Sequence, residues 1–171
     1  MADLITITFD SSRVSAALER LAERMSDHGP VLKAIGDALV ESTKRRFDTG
    51  TSPDGNPWPE NSPVTMDLAE KRRTGKSRIG GEKRYGNKPL LDTGTLKRTI
   101  NYQVEGDTLY VGTDRFSEEW PGGAAVLQFG TTHAGRGNTI TIPARPFLGI
   151  SVEDENVIEK TVMDYISGLA D

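Results

Sequence analysis

The first half of the chain carries apolar residues at helical spacing on both sides of a Gly-Pro break. Apolar residues that recur every three or four positions on a charged background predict two amphipathic helices. In the first, for which Ser11 or Ser12 is suited as N-cap, the stripe is Val14, Leu18, Leu21 and Met25. In the second, which Pro30 is suited to begin, it is Val31, Ile35, Leu39 and, more loosely, Thr43 and Phe47. Ahead of both, alternating apolar and threonine residues over 4–9 predict a short strand.

Alternation with a period of two returns after residue 99. It covers two stretches separated by Gly106-Asp107 and predicts a β-hairpin with a tight turn, its apolar positions being Ile100, Tyr102, Val104, Leu109 and Val111. Residues 91–96 predict a short helix or turn, with Thr93 or Asp92 as its cap. Residues 124–129 are apolar but too few for their pattern to separate helix from strand. Residues 131–138 are expected to form a mobile loop, and residues 139–142 a strand.

The C-terminal stretch predicts one more amphipathic helix. Its stripe is Ile158, Val162, Tyr165 and Leu169, and Glu153 or Asp154 opens it. The acids at 153–155 suit a helix N-terminus because the helix dipole favours negative charge there. The predicted class is α+β: an antiparallel sheet packed with two N-terminal helices and one C-terminal helix.

Residues 50–89 interrupt this regular pattern, and we call them the arm. They hold five of the nine prolines, six glycines and few aliphatic residues. A loop of about 40 residues inside a compact domain is uncommon and is usually functional or disordered until bound. A short helix is predicted around residues 64–73. We expect that deleting residues 51–88 leaves a folded monomer that has lost its assembly function.

Composition and charge narrow the class of protein. A chain of 171 residues suits one domain, and the absence of cysteine excludes disulfides, thiolate metal sites and cysteine nucleophiles. The first ten residues lack the pattern of a signal peptide, and no apolar run approaches the ~20 residues that span a bilayer. We therefore expect a soluble, cytoplasmic protein. The net charge is −4, but residues 65–98 hold ten basic and four acidic side chains (+6), and residues 147–171 hold one and six (−5).

The residues offer little catalytic chemistry. The histidines, His28 and His133, have no predicted orienting partner, and two histidines without cysteine give no zinc spacing. The glycine-rich stretch 135–138 matches neither the Walker nor the Rossmann phosphate-binding pattern, and it lacks the following helix that both patterns require. The basic residues of the arm could bind DNA phosphates with strong salt dependence, but only Tyr85 lies among them to stack on bases. No enzyme constellation, cofactor site or metal site is predicted.

Four stretches in a fixed order carry a resemblance to a known family. They are FDTGTSPDGNPWPENSPVT (47–65), LLDTGTLKRTI (90–100), VLQFGTTHAG (126–135) and IPARPFLGIS (142–151). Together they resemble the phage virion morphogenesis family, the tail completion proteins of Mu-like and related tailed phages. The resemblance covers roughly residues 30–165. One position departs from the pattern: Gln128 stands where relatives often have histidine before Phe-Gly.

The resemblance implies a structural virion protein at the head–tail junction. It implies a homo-oligomeric ring, with six copies expected, that contacts other connector, tail tube or sheath proteins and is assembled in the host cytoplasm. It implies no cofactor and no reaction. A DNA-contacting assembly protein that uses residues 71–98 is the alternative, and an enzyme such as a nuclease is a third hypothesis.

Proline-stiffened segments are the candidate interface elements. Trp58 between Pro57 and Pro59 either anchors a partner or packs on its own domain. Arg145, held between Pro143 and Pro146, either pairs with a neighbour's carboxylate or binds within its own chain. Phe147 and Leu148 are expected to enter the core beneath the last helix. The candidate interface residues are Pro57, Trp58, Pro59, Lys71, Arg72, Arg73, Arg78, Arg84, His133, Arg136, Arg145 and Phe147.

Overall fold

The computed structural model describes residues 27–73, 88–114, 123–135 and 137–170, and confirms the α+β class. In chain order the elements are α1 (Gly29–Thr49), α2 (Pro63–Arg73), α3 (Thr95–Arg98), β1 (Ile100–Glu105), β2 (Thr108–Thr113), α4 (Gly123–Phe129), β3 (Thr131–Ala134), β4 (Ile140–Ile142) and α5 (Val152–Ala170). The predicted N-terminal strand and the first predicted helix lie outside the described residues. None of the described helices is long and apolar enough to cross a membrane.

Helix α1 follows the predicted stripe. Val31, Ile35, Thr43 and Phe47 are buried along one face, and Pro30 lies in the first turn, where its missing N–H costs nothing. The helix ends at Gly50, which has a φ of 76° and donates its N–H to the carbonyl oxygen of Arg46 at 2.7 Å. This left-handed residue favours glycine and turns the chain back toward the helix.

The predicted hairpin is confirmed. Strands β1 and β2 pair antiparallel from Ile100↔Thr113 to Glu105↔Thr108, with Gly106-Asp107 as the turn. The hairpin packs on α1, and Gly36 permits a close approach, since a Cβ there would lie 2.6 Å from the ring of Tyr102. In the short helix α3, Gly94 occupies the N-cap position, one residue beyond the predicted cap, and Thr93 Oγ1 accepts from the N–H of Thr95.

Residues 123–142 form a helix followed by a second hairpin. The ambiguous apolar stretch is helical, as α4. Residues 131–134 form strand β3, which pairs antiparallel with β4 through an irregular register, so the expectation of a loop throughout 131–138 is wrong. Residues 131–134 are too few and too polar for an alternation of apolar and polar residues to be recognised in the sequence. The described strands thus form two separate two-stranded sheets.

Helix α5 begins with a reciprocal cap. Ser151 Oγ accepts the N–H of Asp154 at 3.2 Å, and Asp154 Oδ2 accepts the N–H of Ser151 at 2.8 Å. The helix packs against α1, and Tyr165 donates its hydroxyl to the carbonyl oxygen of Asp27 at 2.6 Å. The predicted C-terminal helix is therefore confirmed, and it lies against α1.

The arm divides into parts with different packing. Residues 51–58 fold back as a turn in which Gly55 donates its N–H to Ser52 O at 2.9 Å and Trp58 donates its N–H to Gly50 O at 2.8 Å. Trp58 is buried in the core. Helix α2 confirms the short helix expected in this region. Because the first part of the arm supplies a core residue, we now expect deletion of residues 51–88 to unfold the chain.

Candidate functional site

The candidate site is built around residues 143–149, which we call the proline corner. Three aromatic rings beneath it form the centre of the core: Phe47 from α1, Trp58 from the arm and Phe147 from the corner. The ring of Phe47 lies 5.5 Å, between centroids, from each of the other two, edge-on to Trp58 and tilted against Phe147. Such pairs contribute about 0.5–1.5 kcal/mol each beyond their buried area. The expected entry of Phe147 into the core is confirmed.

Trp58 also fixes the corner through its polar atom. Its indole Nε1 donates to the carbonyl oxygen of Pro146 at 2.8 Å. Only 5% of the residue is exposed, which corresponds to the alternative in which Trp58 packs on its own domain. Pro57 and Pro59 on either side are exposed. The tryptophan thus links the arm to the corner.

Arg46 of α1 is the buried cation that joins the corner to α5. Its Nη1 donates to the carbonyl oxygens of Phe147 at 3.1 Å and Gly149 at 2.8 Å, and its Nη2 pairs with Asp154 Oδ2. Burial alone would raise the pKa of Asp154, but hydrogen bonds from Ser42 and Ser151 and the charge of Arg46 outweigh it and lower that pKa. The carboxylate is therefore held ionised in the core, where it both caps α5 and neutralises Arg46.

Gln128 of α4 clamps the corner from the other side. Its Oε1 accepts the N–H groups of Phe147 and Leu148, both at 3.0 Å, and its Nε2 donates to the carbonyl oxygen of Leu148 at 2.9 Å. Gln128 therefore satisfies three backbone groups of residues that lie outside the described strands. Two residues later, Gly130 has a φ of 72°, and a Cβ there would lie 2.7 Å from the backbone nitrogen of Ala144.

Arg145 is buried, and its hydrogen-bond partners among the described residues are backbone carbonyl oxygens. Its Nε and Nη2 donate to the carbonyl oxygens of Pro59 and Glu60, each at 2.8 Å. Within the described ranges, no acidic side chain lies within ion-pairing distance of its guanidinium. Burial lowers the pKa of Arg145, yet an arginine in a protein stays protonated. The alternative of binding within its own chain is the one observed, through neutral carbonyl oxygens.

A largely apolar cavity of about 970 Å³, which we call the groove, opens beside Arg145. Helix α2, residues 88–96 and strand β4 form its walls, and the side chains that line it include Val64, Leu90, Leu96, Leu127, Ile142 and Arg145. Lys88 also lines it, and this lysine is exposed. The groove is therefore a largely apolar recess whose charged lining residues are balanced: Arg145 and Lys88 are basic, and Glu60 and Asp92 are acidic.

The structure brings together only part of the predicted interface set. Trp58, Arg145 and Phe147 meet at the corner. Lys71 lies exposed on α2 and pairs with Asp67, and residues 72 and 73 end that helix. His133 is exposed on β3, where its Nδ1 lies 2.9 Å from Thr132 Oγ1. Arg78, Arg84 and Arg136 lie outside the described residues.

Three residues that fix the proline corner were not among the predicted interface residues: Arg46, Gln128 and Asp154. The one local signal was Arg46 itself, a charged residue directly before Phe47 on the apolar side of α1, four residues after Ser42. Among the residues that the structure describes, no three His, Asp or Glu side chains are grouped closely enough to hold a metal ion. The buried charged residues Arg46, Arg145 and Asp154 are paired with one another or with the backbone, which suits them to fix a shape.

The comparisons with known proteins agree with the four ordered motifs. The model of the phage virion morphogenesis family matches residues 9–167. The chain belongs to this family. It is also 30% identical over 156 residues to Mu-like prophage FluMu G protein 2 of Haemophilus influenzae strain Rd, and the match covers 91% of each chain. No solved structure matches. The family is one of phage virion morphogenesis, and membership in it supports a structural, virion-associated role for this protein.

Proposed function

We propose that the protein completes the phage tail at the head–tail junction, where several copies form a ring between the tail and the filled capsid. The observation that carries this proposal is the family match, which runs through nearly the whole chain, together with the similarity to a Mu-like prophage protein. Six copies, and contact with connector, tail tube or sheath proteins in the virion neck, are part of the proposal.

The construction of the site supports a structural role. The buried side chains of Arg46 and Trp58 and the half-buried side chain of Gln128 fix the backbone of the proline corner from α1, the arm and α4. A component held between other proteins must keep its shape, and a network of hydrogen bonds to the backbone is a rigid way to do so. The opposite charges of residues 65–98 and 147–171 suit contacts between unlike surfaces of neighbouring copies.

The experiment is removal of the gene from the phage that encodes it. Electron microscopy of the resulting lysate is expected to show filled heads and finished tails that are not joined, and supply of the protein in trans restores joined particles. The mass of the protein in solution and in isolated necks then gives the copy number. Normal particles in the absence of the gene, or a defect confined to heads, would contradict the proposal.

The DNA-contacting alternative rests on the basic residues of 71–98. Its test is binding to duplex DNA at increasing salt, where phosphate contacts predict a steep loss of affinity. If no binding is detected at low salt, the DNA-contacting alternative is ruled out.

A further inference from the structure

Helix α5 exposes apolar side chains along one flank. Val152 is 70% exposed, Met163 58% and Ile166 38%, and Val162 beside them is half-buried. On a helix with 3.6 residues per turn, these four positions fall within about a third of the circumference. A cluster of exposed apolar residues on a helix marks a contact surface. We call this side of the helix the α5 flank.

The chain enters α1 beside this flank. The carbonyl oxygen of Asp27 accepts the hydroxyl of Tyr165 at 2.6 Å, and Asp27 Oδ1 accepts the N–H of Gly29 at 3.1 Å. At the other end of the two helices, Arg46 pairs with Asp154. These two contacts make α1 and α5 antiparallel, and they place the chain that precedes residue 27 at the C-terminal half of α5.

Residues 1–26, which lie outside the described residues, contain the stripe predicted from the sequence at Val14, Leu18, Leu21 and Met25. Four residues separate this stripe from Pro30, a length typical of the loop in an antiparallel helical hairpin. A helix that is antiparallel to α1 runs parallel to α5. Since parallel helices share the same rise per residue, the Asp27–Tyr165 offset of 138 positions brings residue 14 beside residue 152 and residue 25 beside residue 163.

The charges of the two surfaces are complementary. The charged residues of the α5 flank are both acidic and exposed, namely Glu155 and Glu159. Residues 13–25 contain three arginines and two glutamates. On a helical wheel the arginines, at 13, 20 and 24, lie together along one margin of the apolar stripe, whereas the glutamates, at 19 and 23, lie on the opposite side. An apolar stripe bordered by arginines fits an apolar flank that carries two carboxylates.

We propose that residues 14–25 dock on the α5 flank of their own chain as a helix parallel to α5. The stripe then covers Val162, Met163 and Ile166, and the arginines lie beside the two glutamates of the flank. Helix α5 is thereby held between α1 and the N-terminal segment. The contact lies within one chain, so it does not depend on the ring proposed above.

Cross-linking with a short bis-maleimide tests the contact and its direction, because the chain contains no cysteine of its own. In the full-length protein, the double variants Val14→Cys/Val152→Cys and Met25→Cys/Met163→Cys are expected to cross-link within one chain. The matched controls exchange the partners, as Val14→Cys/Met163→Cys and Met25→Cys/Val152→Cys. They are expected to stay unlinked, because eleven helical residues, about 16 Å, separate the two thiols along the axis.

The reactivity of single thiols gives a second measurement. By exposure within the described residues, Met163→Cys should react faster than Val157→Cys, since the two positions are 58% and 44% exposed. Docking reverses this order, because position 163 is covered and position 157 lies on another side of the helix. Adding Leu21→Asp to Met163→Cys is expected to raise the rate of its alkylation about tenfold, as the docked segment opens more often. Ala16→Asp introduces the same charge on the opposite side of the predicted helix and is expected to leave the rate unchanged.

Three results would overturn the contact. Links in the exchanged pairs as strong as in the matched pairs would contradict the direction or the docking itself. A link between chains in a mixture of the single variants Met25→Cys and Met163→Cys would show that the segment docks on a second copy. Faster alkylation at position 163 than at position 157, with no response to Leu21→Asp, would show that the flank is uncovered and free for another partner.

Discussion

Replacement of Arg46 by methionine should lower the free energy of unfolding far more than the loss of an ordinary surface ion pair does. The residue is 6% exposed, and its side chain binds two carbonyl oxygens of the proline corner and the carboxylate of Asp154. Methionine fills much of the same volume, so the main change is the loss of charge and hydrogen bonds. The variant leaves Asp154 buried with its Ser151 donors but without a cation.

The magnitude follows from what each variant leaves behind. Removal of one partner of a buried ion pair costs about 3–5 kcal/mol, so Arg46→Met is expected in that range. Asp154→Asn keeps an oxygen near Arg46, which also retains its two carbonyl acceptors, so its expected cost is about 1–3 kcal/mol. The double variant should cost less than the sum of the two by about 1–3 kcal/mol.

Urea denaturation followed by circular dichroism measures these free energies of unfolding. The control is Lys97→Met, which breaks the partly exposed pair with Asp48 and is expected to cost less than about 1 kcal/mol. The reasoning is refuted if Arg46→Met costs no more than Lys97→Met, or if the effects of Arg46→Met and Asp154→Asn simply add.

Three further predictions concern the same network. Since folding holds the pKa of Asp154 below the value of about 3.9 in an unfolded chain, its ionised form contributes stability that is fully present above that pH and is lost as pH falls through the folded pKa. The stability gap between wild type and Asp154→Asn should therefore be flat at neutral pH and narrow below about pH 4 in urea titrations; a gap that widens in acid would contradict this. Gln128→Ala leaves three backbone groups without their hydrogen-bond partner, so it should lower the free energy of unfolding by about 2–3 kcal/mol in chemical denaturation. The exposed control Gln103→Ala should lower it by less than about 0.5 kcal/mol. In thermal unfolding, Gly130→Ala should lower Tm more than Gly106→Ala, because both have positive φ but only Gly130 would drive a Cβ into backbone atoms; equal shifts would argue against that close approach.

The sequence predicted those parts of the fold that repeat along the chain. The apolar stripes of α1 and α5 and the alternation of β1 and β2 around Gly106 each place several residues under one periodic constraint. A constraint repeated over ten or more positions survives single exceptions. The strand β3 has four residues and lacked that redundancy.

The site was harder to predict because its contacts join residues far apart in sequence. Trp58 reaches Pro146 across 88 positions, and Arg46 reaches Asp154 across 108. Local sequence patterns carry no information about contacts between residues so far apart in the chain. The two prolines showed that residues 143–149 are stiff, but not that Trp58 lies beneath them, since an exposed anchor and a core residue share the same Pro-Trp-Pro sequence. The position of Arg46 was ambiguous in the same way, because the helical pattern alone allows a charged residue there to be exposed or buried.

The proline corner shows how a short segment can be fixed in shape without being part of a regular strand. Residues 146–149 are held by side chains from three other parts of the chain: Trp58 from the arm, Gln128 from α4 and Arg46 from α1. Polar contacts of this kind stiffen a backbone when their groups are satisfied. In the ring proposed above, the angle between the two contact surfaces of each copy would decide whether the copies close or continue as an open helix. A stiff corner would keep such an angle constant, and this is a physical reason for a segment so specific in shape to contain no catalytic group.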